Sequence, residues 1–166
     1  MKHPALLFTG GNGPFGQFDT SSIPSCDYVC AADSGIDTAL ALGFTPDEAI
    51  GDFDSLSAHK SLSSIPHITL NRHKDVTDTE AMLRHIQEKG FDSYILVGGG
   101  EGRFDHLLHL YSLFSIYGPP EQWITAREHL HLVHTHTQFT LIPHATIPVI
   151  PALATGHATV TSKHLL

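Results

Sequence analysis

The sequence predicts an α/β fold: a three-layer sandwich with a mostly parallel, Rossmann-like sheet, followed by a small, incomplete all-β region. Three observations predict it. Short apolar runs recur up to about residue 125, and most are nearly continuous, as in strands buried on both faces of a parallel sheet. Stretches with helical signals lie between them, which argues for helices on both faces of that sheet. After residue 127, short β-like runs follow one another with no helix between them.

Taken in order, "ALLFT" (5–9) and "YVCAA" (28–32) are the first two expected strands. "SGIDTALALG" (34–43) reads as a helix, with Ser34 and Asp37 at capping-box spacing and Gly43 as its stop. "EAI" (48–50) and "HITL" (67–70) are the third and fourth strands. In "TDTEAMLRHIQEKG" (77–90), Thr77 and Glu80 repeat the box spacing, Met82, Leu83 and Ile86 fall at helical spacing, and Gly90 ends the run. "SYILVG" (93–98) is the fifth strand. "DHLLHLYSLFSIYG" (105–118) puts Leu107, Leu110, Tyr111 and Phe114 on one helix face and stops at Gly118 before two prolines. "QWIT" (122–125) is the sixth strand. "EHLHLV", "QFTLI", "TIPVI" and "HATVT" make up the β region. The division is 1–126 for an α/β domain that binds nucleotide and metal, and 127–166 for the β region. About 40 residues are thin for an independent sandwich, so this region is expected to lean on the first domain or to be completed by a partner subunit.

The bulk numbers exclude several classes. Lys and Arg total 9 against 17 Asp and Glu, a net charge of −8, which makes the chain a poor candidate for gripping a nucleic-acid backbone, a task that needs clustered Lys and Arg. Two cysteines, Cys26 and Cys30, are too few for a disulfide framework and read as reduced thiols. The N-terminus carries neither a signal-peptide pattern nor a membrane span, and the expected location is the cytoplasm.

In open α/β sheets ligands bind outside the carboxyl ends of the strands, and the polar clusters of this chain fall there. "GGNGPF", "ADSG", "GDFDS", "NRHKDVTDT" and "GGGEGRFDH" follow the first five strands in turn, so five strand ends should share one rim. In "GDFDS", an extended backbone would put Asp52 and Asp54 on one side and Phe53 on the other. Paired carboxylates of this kind suit a hard divalent cation shared with substrate phosphates. Asp75, Thr77 and Asp78 stand at a loop-to-helix junction, and Lys74 can counter phosphate charge. In the glycine-rich stretch, the amides of Gly99, Gly100 and Gly102 can cradle phosphate, Arg103 can fork onto its oxygens, and Asp105 and His106 open the next helix. Histidines number 14, and those at 129, 131, 134 and 136 alternate with other residues. A zinc or nickel site is one reading of them; the simpler one is the solvent face of an amphipathic strand.

The ordered set "AADSG", "GDFDS", "KDVTDTE" and "GGGEGRFDH" resembles the thiamine pyrophosphokinase family over residues 1 to about 125. The resemblance implies pyrophosphoryl transfer from ATP to the hydroxyl of thiamine, giving thiamine diphosphate and AMP, with Mg2+. It also implies a homodimer of chains that each carry an α/β catalytic domain and a C-terminal β domain. By position it makes Asp52, Asp54 and Asp78 the metal and catalytic carboxylates, and Asp33, Asp75 and Thr77 part of the substrate pocket. Lys74, Gly99, Gly100, Gly102, Arg103, Asp105 and His106 would meet ATP. Whether Asp78 or an oxygen on the metal takes the hydroxyl proton stays open. Two departures stand out: Ser34 replaces a usual glycine, and the β region reads as a shortened form of the thiamine-binding domain. Two other readings use the same residues: a metal-dependent phosphohydrolase, and a non-catalytic nucleotide-binding remnant of the family.

Overall fold

The structure is a computed structural model, and it describes residues 3–14, 18–54, 62–71, 75–133 and 148–149. These form one seven-stranded sheet in the order β4-β3-β2-β1-β5-β6-β7. The strands are β1 Ala5–Phe8, β2 Tyr28–Ala32, β3 Glu48–Gly51, β4 His67–Thr69, β5 Tyr94–Val97, β6 Gln122–Ile124 and β7 His129–His131. The first six are parallel, and β7 returns antiparallel to β6. Every residue of β1 and β5 is buried, which is why those segments are unbroken apolar runs.

The helices are α1 Gly35–Ala41, α2 Asp78–Glu88 and α3 Phe104–Tyr117. Alternation along each strand feeds two cores. Leu7, Cys30, Ile50, Leu96 and Trp123 face α2 and α3, where Met82, Leu83, Ile86, Leu113 and Phe114 meet them. Leu6, Phe8, Ala31, Ile95 and Val97 face the other way, toward Ile36 and Ala39 of α1. The result is the three-layer sandwich that the periodicity predicts.

The glycine stops at Gly43 and Gly90 form, as does the one at Gly118. Gly43 (φ 83°) and Gly90 (φ 79°) take the left-handed backbone that ends a helix without a Cβ penalty. In each, the next residue's amide reaches back to close the turn: Phe44 N–H to Ala39 O at 2.9 Å, and Phe91 N–H to Ile86 O at 3.0 Å. Thr77 caps α2, its Oγ1 accepting from Glu80 N–H at 3.2 Å.

Three expectations need correction. Ser34 makes no side-chain cap on α1, because it is already helical (φ −64°, ψ −8°) and a capping oxygen needs an extended backbone to reach the first amides. On α3 the buried face holds Leu110, Leu113 and Phe114, whereas Tyr111 is exposed. Leu107, Leu110 and Phe114 pack inward as expected, Phe114 edge-on against Trp123 with 5.4 Å between centroids, and Leu113 takes the place expected of Tyr111. Finally, the "HLH" run set off with the β region is the edge strand of the main sheet, paired Trp123 to Leu130. The other expected β runs, and His134 and His136, lie outside the described residues, apart from Pro148 and Val149.

Candidate functional site

The strand order reverses between β1 and β5: from β1 the sheet grows through β2 and β3 to β4 toward one edge, and from β5 through β6 to β7 toward the other. Such a switch point opens a crevice at the carboxyl ends of the strands. The loop after β1 and the glycine loop after β5 flank it. They are packed tightly: a Cβ on Gly98 would lie 2.6 Å from Thr9 O, so only glycine admits this approach. Trp123 Nε1–H donates to Gly98 O at 2.8 Å and holds the loop from the β6 side. Thr9 Oγ1 and Thr79 Oγ1 are hydrogen-bonded, which ties the start of α2 to the end of β1.

Beside the crevice, the ends of β2 and β3 bring three carboxylates together. Asp33, Asp52 and Asp54 each offer an oxygen, and these lie within 4.8 Å of one another. Oδ1 of Asp33 is shielded from solvent. The backbone pays special attention to this spot: among the described residues, Asp33 (φ 46°) and Phe53 (φ 57°) are the non-glycine residues with positive φ. Each such position costs about 1–2 kcal/mol, and strain of this kind collects where function holds a residue in place. The extended geometry expected for "GDFDS" is therefore not what joins the pair. The strand ends at Gly51, and a tight turn follows, with Phe53 buried in the α1-side core and Asp54 N–H donating to Asp52 Oδ1 at 3.2 Å. Phe53 anchors the turn, and the two carboxylates are left on the rim.

Asp78, the first residue of α2, reaches the same rim. A Cβ on Gly51 would lie 3.3 Å from Asp78 Oδ1 and 3.2 Å from the amide nitrogen of Asp33. Gly51 thus leaves the space into which Asp78 comes close. The other residues singled out from the sequence are spread around this centre. Arg103 and Asp105 form a bidentate ion pair at the start of α3, with Nε to Oδ1 at 3.0 Å and Nη2 to Oδ2 at 2.5 Å, and both are largely exposed. Bonding to Arg103 holds the Asp105 carboxyl below its usual range. His106 and Asp75 are exposed, and Thr77 is the α2 cap, within 3.4 Å of His109 Nε2. Gly99 (φ 72°) and Gly102 (φ 110°) take backbone that only glycine adopts readily, and Gly100 packs against Thr125. Lys74 lies outside the described residues.

The donor set is all carboxylate oxygen, which suits Mg2+, Ca2+ or Mn2+ and not a soft metal. Three carboxylates this close repel one another unless a cation sits among them. Among the described residues no histidine joins that set. His129 and His131 lie on exposed β7 with ring centroids 4.1 Å apart. Packing of His129 near Phe18, Gln122 and His131 removes water from its ring and pushes its pKa down to about 4. Cys30 is likewise inert, its thiol pushed up to about 12 by burial.

Residues 20–121, more than half of the chain, match the family model described as thiamin pyrophosphokinase, catalytic domain. The chain belongs to the thiamin pyrophosphokinase family. The matched span contains the three aspartates, Asp78 and the glycine loop. Solved structures of the family are similar in fold. Thiamin pyrophosphokinase from Geobacillus thermodenitrificans is 26% identical with a TM-score of 0.58, over 72% of this chain and 59% of that one. A thiamin pyrophosphokinase family protein from Enterococcus faecalis is 29% identical with a TM-score of 0.55, over 69% and 56%. Thiamine pyrophosphokinase from Bacillus subtilis is 25% identical with a TM-score of 0.56, over 68% and 55%. No curated protein matches the chain. The chain therefore spans well under two thirds of the length of these three relatives.

Sequence reasoning did not single out Thr9, Asn12, Thr79, Glu101 or Arg127 as site residues. For Glu101 a signal existed: an acid between Gly100 and Gly102, in a loop otherwise suited to phosphate. The others are ordinary residues until the fold brings distant loops together.

Proposed function

We propose that this protein transfers the pyrophosphoryl group of ATP to the hydroxyl of thiamine, giving thiamine diphosphate and AMP. The observation that carries the reading is the cluster of Asp33, Asp52 and Asp54 beside Asp78, inside the span that matches the family's catalytic domain. Asp33, Asp52 and Asp54 would hold Mg2+. The ion supplies charge neutralisation at the triphosphate, which is most of what phosphoryl transfer asks of a protein.

The chain's own residues supply positioning. The glycine loop and the amides that open α3 receive phosphate oxygens. Arg103, exposed and now paired with Asp105, exchanges that carboxylate for phosphate, a matched bidentate acceptor. Asp78 stands at the edge of the cluster and takes the proton of the thiamine hydroxyl as its oxygen attacks the β-phosphorus. The bond from that phosphorus to the AMP oxygen then breaks. Buried Thr9, bonded to Thr79 at the start of α2, and Trp123, bonded to Gly98 O, steady the loop and the helix start that carry these groups.

The protein acts as a homodimer in this reading. Exposed Phe104, Leu108 and Ile116 on α3 give an apolar face that favours association. It acts in the cytoplasm, where the thiols of Cys26 and Cys30 stay reduced. Among the described residues no helix is long and apolar enough to cross a membrane.

The test is nucleotide product analysis with ATP and Mg2+, with and without thiamine. Thiamine-dependent AMP, lost in Asp54→Ala and Asp78→Ala, is the expected result. ADP or free phosphate as the sole product would make the protein a phosphohydrolase. Binding of ATP with no turnover would make it a nucleotide-binding remnant of the family.

A further inference from the structure

The histidines of β7 stand well away from the acid cluster. β7 is the last strand on its edge of the sheet, four strand positions beyond β2, or about 19 Å. Its register sets Leu130 opposite Trp123, in the core shared with α2 and α3. His129 and His131 therefore point to the other face, on the side of α1. His131 lies directly opposite Gln122, and His129 opposite Ile124 of the α1-side core.

Residues two apart on a strand are separated along it by about 6.6 Å. The two imidazoles have closed to 4.1 Å between centroids, at 31° to one another. A strand face that only meets solvent gives two polar side chains no reason to converge so far. Phe18 stands edge-on to His129, with centroids 6.4 Å apart, and walls one flank of the pair. Gln122 orients the ring. Its Oε1 lies 2.8 Å from His129 Nε2, and a carbonyl oxygen can only accept. In the neutral ring the proton is therefore on Nε2, and Nδ1 carries the lone pair. An acceptor behind one ring nitrogen is the usual device that fixes tautomer and direction in a metal-bound histidine.

We propose that His129 and His131 form a chelating site for one divalent transition-metal ion of the zinc kind, with Gln122 as the positioning residue behind His129. Two nitrogens bound to such an ion, each at about 2.0–2.1 Å, stand roughly 3 Å apart. Rotation of two side chains that are already stacked reaches that spacing. Both histidines are exposed, so an ion enters from solvent and water completes its shell. Imidazole favours zinc, nickel and copper, whereas Mg2+ takes oxygen ligands. The site is thus separate from the acid cluster in chemistry as well as in place, and it does not depend on the reaction proposed above.

The experiment is calorimetric titration of the full chain with ZnCl2 in excess Mg2+, which competes for the carboxylates. The wild type is compared with His129→Gln, His131→Gln and Gln122→Leu. One Zn2+ site should weaken by about ten-fold or more in each histidine variant, and by about ten-fold in Gln122→Leu. In 15N spectra of the wild-type imidazoles, Zn2+ should shift Nδ1 of His129 and leave its Nε2 protonated. That measurement needs no variant to fold. Equal Zn2+ affinity in the wild type and both histidine variants would overturn the site. So would Zn2+ that Mg2+ displaces, or spectra in which neither His129 nor His131 responds.

Discussion

Phe53 and Asp33 hold backbone that side chains rarely adopt, the one between two acids of the cluster and the other itself the third. Asparagine tolerates this conformation about as well as aspartate, so Asp33→Asn removes charge and keeps the turn. We expect its affinity for Mg2+ or Mn2+ to fall by about 10–100-fold, measured by calorimetry. Its metal-free stability should hold or rise slightly, because one of three mutually repelling carboxylates has gone. A variant with unchanged metal affinity would remove Asp33 from the site. The sequence showed that Asp52 and Asp54 belong together. It did not show how, because the left-handed turn at Phe53 depends on a buried pocket built by distant residues.

Glu48, on β3, is the hub between the sheet and α2. Its Oε2 meets Tyr28 Oη at 2.5 Å, His85 Nε2 at 2.7 Å and Lys89 Nζ at 3.3 Å. Burial alone would raise its pKa, but the bonds from Tyr28, His85 and Lys89 together outweigh that and hold it below the usual value. A depressed folded-state pKa means that the stabilisation is present above the unfolded-chain value and is lost as pH falls through the folded one. Urea unfolding across pH should therefore show a shallower acid limb, below about pH 4.5, in Glu48→Gln than in the wild type. Glu48→Ala should cost about 1–3 kcal/mol at neutral pH, because Tyr28 and His85 lose a partner in a largely buried setting. Nothing in the apolar run "EAI" announced this network; it needs residues 20, 37 and 41 positions away in the chain. By contrast the helix stops at Gly43 and Gly90 were legible, since a left-handed C-terminal residue is a local requirement.

A cation held by Asp33, Asp52 and Asp54, as proposed, would make the protein's stability depend on it. A ligand that binds only the folded state stabilises it by mass action, about 2.7 kcal/mol at a concentration 100 times its dissociation constant. Mg2+ should therefore raise the melting temperature well beyond the effect of KCl at matched ionic strength, and EDTA should reverse it. The rise should shrink in Asp33→Asn. An equal rise with KCl would reduce the effect to screening of the net charge of −8.

Local patterns were enough to read six strands, three helices and the rim on which the polar loops gather, because strand burial, helix stops and loop composition are short-range properties of the chain. The order of motifs along the chain likewise carried the family. What the tertiary structure alone decided is which loops touch. It set β7 on the edge of the main sheet and put Leu113 of α3 in the core place expected of Tyr111. It brought Asp33 to Asp52 and Asp54, and Glu101 to both Asn12 and Arg127. Those contacts join residues 19 to 89 positions apart, and the strand order that closes such distances is a property of the packed sheet, not of any segment within it.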